Sequence, residues 1–213
     1  MNEFENLRSW KREHFEYTKC YCEENIWKLV EALKLSDSRV LDQCWVVFIS
    51  NNDRTIPLWK QRAGHQDRNH LVIWDYHVIM VVRSGDSGDN STHEEYVVDF
   101  DTVLPFVFPL EDYYALAIQD ECQFIENFKR KFRVVKATEY LEKFASDRSH
   151  MIRMDDSGQM VFSSPPPNYP PIETKDSKNN IQDFISMDSS AGYGEVLNLE
   201  EFLRYFTKRP INS

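Results

Sequence analysis

In the run CYCEENIWKLVEAL (20–33), Ile26, Leu29, Val30 and Leu33 fall at i, i+3, i+4 and i+7. That spacing predicts an amphipathic helix with Cys22 in its first turn. Continuous apolar runs predict strands at CWVVFIS (44–50) and LVIWDYHVIMVV (71–82), and EEYVVDFD (94–101) reads as a third. IPLWKQ (56–61) follows the polar turn NNDRT, FRVV (132–135) reads as a short strand, and FIS (184–186) as a last one. DTVLPFVFPLEDYYALAIQD (101–120) passes through a Pro-bounded loop into a helix, and ATEYLEKFAS (137–146) forms another. The chain closes on NLEEFLRYF, where Asn198 caps and Glu201 returns as the capping-box acid.

Strands with helices gathered mostly at the two ends describe an α+β fold rather than repeating βαβ units. With no internal repeat and no flexible linker, residues 1–213 read as a single catalytic domain. Residues 1–16 form an N-terminal arm, with Phe4, Leu7 and Trp10 at helical spacing, and 147–180 a long irregular loop containing SSPPPNYPPIE (163–173). A loop of that length is expected to pack on its own domain, although a proline run can also serve as a polyproline ligand.

The formal charge of −10 argues against a nucleic-acid partner, and no Lys/Arg cluster offsets it. An acidic chain suits cationic ligands. The charged amino terminus has no apolar signal core and no stretch approaches a membrane span, so a cytoplasmic monomer with reduced cysteines is expected. The sequon at Asn90 then carries no weight.

Against this background one constellation carries chemistry. A Cys at a helix start, a His on a strand (His77) and an acid on the next strand (Asp99) supply the nucleophile, base and orienter of acyl transfer. A hairpin centred on Gly88 sets His77 directly opposite Asp99. Free N–H groups and the helix dipole are expected to hold Cys22 as a thiolate. Cys20 is a competing nucleophile, but it precedes the helix; Cys44 and Cys122 have no base beside them in sequence. No metal is expected, because Cys20 and Cys22 are spaced C-x-C and the histidines at 65, 70, 77, 93 and 150 show no i, i+4 pair. No cofactor is expected either, since no Gly-rich phosphate loop is present.

The motifs CYCEENIWKL, IPLWKQ, VIWDYHV, DFDTVLPF, KFRV, FASDRSHM, PPPNYPPI and DFISM, in this order, closely resemble the protein N-terminal glutamine amidohydrolase family from about Tyr17 to Phe206. The resemblance implies an α-β-α sandwich with a papain/transglutaminase-like core. It also implies a triad at Cys22, His77 and Asp99, and conversion of N-terminal Gln to Glu in the N-degron (arginylation) route. The arm lies outside the resemblance, and Glu195 stands where the family pattern leads one to expect a small residue. Partners are proteins or peptides with a free N-terminal Gln, whose α-ammonium calls for a carboxylate: Glu23, Glu24, Asp75 and Asp101 are the candidates. The same triad would equally serve a peptidase or a transglutaminase, and a reader of N-termini without catalysis is the non-enzymatic alternative.

Overall fold

A computed structural model describes Leu7, residues 10–84 and residues 94–207. In chain order its elements are α1 (Cys22–Ser36), β1 (Cys44–Ser50), β2 (Ile56–Leu58), β3 (Val72–Trp74), β4 (Tyr76–Ser84), β5 (Glu94–Val98), β6 (Val107–Pro109), α2 (Leu110–Tyr113), β7 (Lys131–Lys136), α3 (Ala137–Lys143), β8 (Ile152–Met154), β9 (Met160–Phe162), α4 (Ile181–Ile185), β10 (Glu195–Asn198) and α5 (Leu199–Phe206). Six strands form one sheet in the order β10-β7-β1-β4-β5-β6, every neighbouring pair antiparallel. The fold is α+β.

The continuous apolar strands follow from burial on both faces. Val46 and Phe48 of β1, with Val78, Met80 and Val82 of β4, meet the predicted stripe Ile26, Leu29, Val30 and Leu33 of α1, together with Tyr140 and Phe184. The alternate residues Trp45, Val47, Ile49, Ile79 and Val81 pack under Leu110 and Tyr113 on one side and Phe202 and Phe206 of α5 on the other. Among the described residues no helix is long and apolar enough to cross a membrane.

Several expectations change in the structure. The run 71–82 is two strands rather than one. The break falls at Asp75, whose carbonyl accepts from Ser50 Oγ at 2.7 Å, so β3 pairs with β2 while β4 enters the main sheet. FIS is not a strand. It closes α4, whose Ile181, Phe184 and Ile185 are buried at i, i+3 and i+4, a periodicity hidden when the segment is read from Phe184 onward. The Pro-bounded loop contains β6, the long loop contains the β8–β9 hairpin, and β10 adds an unforeseen edge strand. Glu195 opens β10 opposite Val134 and is exposed, so its charge sits in solvent. The capping box of Asn198 and Glu201 forms as expected, with both reciprocal bonds at 2.8–2.9 Å. The Pro-rich segment packs on the body of the protein through the Arg148 guanidinium, which donates to the carbonyls of Pro167 and Tyr169. Phe4, Gly88 and the sequon lie outside the described residues.

Candidate active site

Helix α1 begins at Cys22, with Tyr21 as its N-cap and Asn25 N–H closing the first turn on the Tyr21 carbonyl at 2.9 Å. Cys22 and His77 line one pocket of about 350 Å³ together with Trp74, Asp75, Asp101 and His150. His77 Nε2 lies 3.0 Å from Asp99 Oδ1, both side chains being 1% exposed. With Nε2 committed to the acid, Nδ1 is the nitrogen left for a proton from the thiol.

The route that brings His77 to Asp99 differs from the one expected. β4 and β5 pair in the register Met80↔Val98 and Val81↔Val97, so the hairpin is centred one residue later than Gly88. β5 ends at Val98, and Asp99 lies just past the strand rather than directly across from His77. A one-residue shift of the centre moves the pairing by two positions, which preserves side-chain parity. His77 and Asp99 therefore still meet, on a diagonal.

Asp99 is saturated with donors. Oδ1 accepts from His77 and from the Asp101 backbone N–H at 2.8 Å; Oδ2 accepts from Tyr113 Oη at 2.8 Å and Gln61 Nε2 at 3.3 Å. Burial disfavours the carboxylate, but the His77 charge and these hydrogen bonds outweigh it and hold Asp99 below the usual range. Burial likewise opposes the imidazolium, yet the charge and hydrogen bond of Asp99, helped by Asp101 and Glu23, raise His77. Trp74 stacks on the His77 ring at 5.6 Å between centroids, and its Nε1 donates to Gln61 Oε1 at 3.2 Å. Trp74, Gln61 and Tyr113 thus fix the dyad, and sequence reasoning passed over all three. Trp74 and Gln61 lie in the motifs that carry the family resemblance; Tyr113 had no local signal.

The expected thiolate is not the ground state here. Burial raises the Cys22 thiol well above its ordinary value, and Glu23 and Asp101 raise it further, against a single opposing hydrogen bond from the Val78 backbone. A helix start lowers a thiol pKa when water or a cation shares the site. Here three acidic side chains, Glu23, Asp101 and Asp75, act on a buried sulfur, with Glu23 Oε2 only 3.6 Å from Sγ. These influences favour the protonated thiol.

The four candidate carboxylates separate clearly. Asp75 and Asp101 line the pocket. Asp101 Oδ1 accepts from Tyr17 Oη at 2.7 Å, and no described residue hydrogen-bonds its other oxygen. Glu23 is wholly buried beneath the sulfur, where Oε2 accepts from Tyr76 Oη at 3.0 Å and Oε1 lies 3.4 Å from His150 Nε2. Glu24 does not line the pocket; both its oxygens are taken by Arg148, at 2.9 and 2.8 Å. Cys20 is exposed at the pocket mouth, whereas Cys44 is buried and pushed up to about 12 by desolvation. His65 is exposed and His70 bonds the Gly64 carbonyl, both away from the site.

The fold assembles one cluster of ligand-capable groups that residue spacing along the chain does not reveal. Ligand-capable atoms of His77, Asp99 and Asp101 lie within 4.8 Å of one another. An ion there would have to compete with the four donors already on Asp99.

A family model for N-terminal glutamine amidase matches residues 17–206. The protein N-terminal glutamine amidohydrolases of Bos taurus and Homo sapiens are each 49% identical to this chain, over 91% and 89% of it and 87% of their own lengths. The Drosophila melanogaster protein of the same name is 40% identical over 91% of this chain and 89% of its own. The chain belongs to the N-terminal glutamine amidase family of hydrolases.

Proposed function

We propose that this enzyme deamidates the side chain of N-terminal glutamine through Cys22, His77 and Asp99. The carrying observation is the buried His77–Asp99 pair, whose second imidazole nitrogen is left for the pocket it shares with Cys22. His77 Nδ1 takes the Sγ proton, and the thiolate attacks the amide carbon. Backbone N–H groups at the start of α1 stabilise the oxyanion. Collapse of the tetrahedral species breaks the C–N bond, with the proton passing from Nδ1 to the departing ammonia and a thioester left on Cys22. Water, deprotonated by His77, cleaves the thioester to N-terminal Glu. In the cytoplasm that Glu would enter the arginylation route.

The acidic pocket gives the specificity. A free α-amino group is largely cationic at neutral pH, and Asp101 and Asp75 stand at the wall to receive it. The same cation offsets the anions that keep the thiol protonated, so the group that is recognised also eases formation of the nucleophile. Asn in place of Gln draws the amide carbon back by roughly one C–C bond, ~1.5 Å, a misplacement that costs on the order of 100-fold in rate.

Ammonia release from four peptides identical beyond their first residue tests this reading: Gln-initiated, N-acetyl-Gln-initiated, Asn-initiated, and one with internal Gln only. Turnover is expected for the first alone, with acetylation costing at least about 100-fold because it leaves the anchoring carboxylate unpaired. Comparable kcat/KM for the free and acetylated peptides would refute the ammonium anchor.

A further inference from the structure

The catalytic pocket has a second cavity beside it. Arg54 and Ile185 form part of its wall and also part of the wall of a second cavity of about 560 Å³, which continues over Asn51, Lys131 and Asp188. The two adjoin at these residues, and together they outline a trough leading away from Cys22.

The trough has a rigid floor. Asn51 Nδ2 donates to the carbonyls of Asn127 (2.7 Å) and Lys129 (3.1 Å), and its Oδ1 accepts from Thr55 N–H at 3.0 Å, pinning the turn 51–55. Within this turn Arg54 holds a left-handed backbone, φ 54°, an uncommon conformation for a residue with a side chain. Its guanidinium reaches over to Gln182 Oε1 of α4 at 2.7 Å, at the boundary between the two cavities. Lys131 is half-buried at the start of β7, and its ammonium has no hydrogen-bond partner among the described residues. The acid on the opposite wall, Asp188, is turned to its own loop, with Oδ1 accepting from Ser190 N–H and Oγ. In a chain of net charge −10, the second cavity of the trough therefore presents two cations, Arg54 and Lys131, against the single carboxylate of Asp188, which lies within electrostatic reach of Lys131.

The occupant follows from the substrate's connectivity. A polypeptide whose first side chain reaches Cys22 must carry its remaining residues out of the pocket, and at ~3.3 Å per extended residue positions 2–4 reach into a cavity that adjoins it at Arg54 and Ile185. We propose that this trough receives positions 2–4 of the substrate polypeptide and that Arg54 and Lys131 favour an acidic side chain there. The proposal rests on the deamidase reading above.

The test uses Gln-initiated peptides carrying alanine at positions 2–4, or Glu or Lys at one of these positions. They are assayed on the wild type, Lys131→Glu and Lys131→Ala. The Glu:Lys ratio of kcat/KM within each protein is independent of how much of a variant is folded. In the wild type, Glu is expected to exceed Lys by about three- to fivefold at one or more positions, through KM and diminishing with salt. The preference should shrink in Lys131→Ala and reverse in Lys131→Glu. Turnover of all peptides with one ratio across the three proteins overturns the trough alone. No turnover of any Gln-initiated peptide by the wild type overturns the deamidase reading and the trough with it.

Discussion

Among the described residues two acid–base pairs have both partners buried, and their neighbourhoods differ in kind. His77–Asp99 is 1% exposed on both sides; Arg148–Glu24 is 6% and 0% exposed. Both acids have each oxygen engaged, so neither pair shows strain or an unmet charge. The difference lies with the base. Every described hydrogen bond of the Arg148 side chain ends on Glu24 or on the carbonyls of Pro167, Tyr169 and Pro170, and a guanidinium does not release its proton near neutrality. That pair fastens α1 to the Pro-rich loop. His77 spends one nitrogen on Asp99 and keeps the other for the pocket, on a ring that changes charge in the physiological range. Burial and ion pairing do not distinguish catalysis from scaffolding; a titratable atom held in reserve does.

The sharpest way to break this comparison is to remove the base from each pair. His77→Ala should lower kcat by about 10³–10⁴-fold, since general base and nucleophile activation are lost together, while the unfolding temperature falls less than in Arg148→Ala because Asp99 keeps its bonds from Asp101 N–H, Tyr113 and Gln61. Steady-state kinetics alongside thermal unfolding would check it. Arg148→Ala should do the reverse, costing about 3–5 kcal/mol of stability by stranding Glu24 while the folded fraction retains its kcat. The double replacement Arg148→Met with Glu24→Leu should recover most of that stability in denaturant titration, because a well-packed apolar pair can replace a structural ion pair. No apolar replacement of His77 and Asp99 should restore turnover.

A smaller effect concerns pH. His77 is raised in the fold and Asp99 lowered. The raised imidazole contributes stability that is complete below its unfolded pKa of about 6.5 and disappears as pH rises through its folded value; the lowered carboxylate contributes above about 3.9 and loses this as pH falls through its folded value. The stability gap between wild type and Asp99→Asn should therefore peak between about pH 4 and 6.5 and narrow on both sides. For the Arg148 variants the gap should stay flat from about pH 6 to 9, where a guanidinium does not titrate. A flat gap for Asp99→Asn would mean that the dyad holds no shifted proton. Smallest of all, Tyr113→Phe removes one of the four donors on Asp99 and should reduce kcat by about tenfold, the worth of a hydrogen bond to a charged group.

Much of this was legible along the chain. The α1 stripe, the apolar strands β1 and β4, the α5 capping box and the order Cys22, His77, Asp99 all rest on short-range patterns that the fold preserves. The His77–Asp99 contact was anticipated through the wrong register, and it survived because a two-position offset keeps parity. Long-range features were beyond reach. Nothing near Glu24 announces that Arg148, 124 residues away, will claim both its oxygens. Gln61 and Tyr113 reach Asp99 across 38 and 14 residues. The protonated state of Cys22 was misread for a related reason: the helix start and Glu23 are local, but the burial and the approach of Asp101 and Asp75 are tertiary.

The central claim, that Cys22 attacks and His77 serves it, meets its most direct test at the two neighbouring cysteines. Ammonia release from one Gln-initiated peptide would be measured for wild type, Cys22→Ala and Cys20→Ala, with folding verified by thermal unfolding. Cys20 lies exposed at the pocket mouth, so Cys20→Ala should retain activity within a few-fold, about 1 kcal/mol at most. Cys22→Ala should fall to background with the fold intact. Turnover by Cys22→Ala at the wild-type rate, or equal losses in both variants, would contradict the assignment.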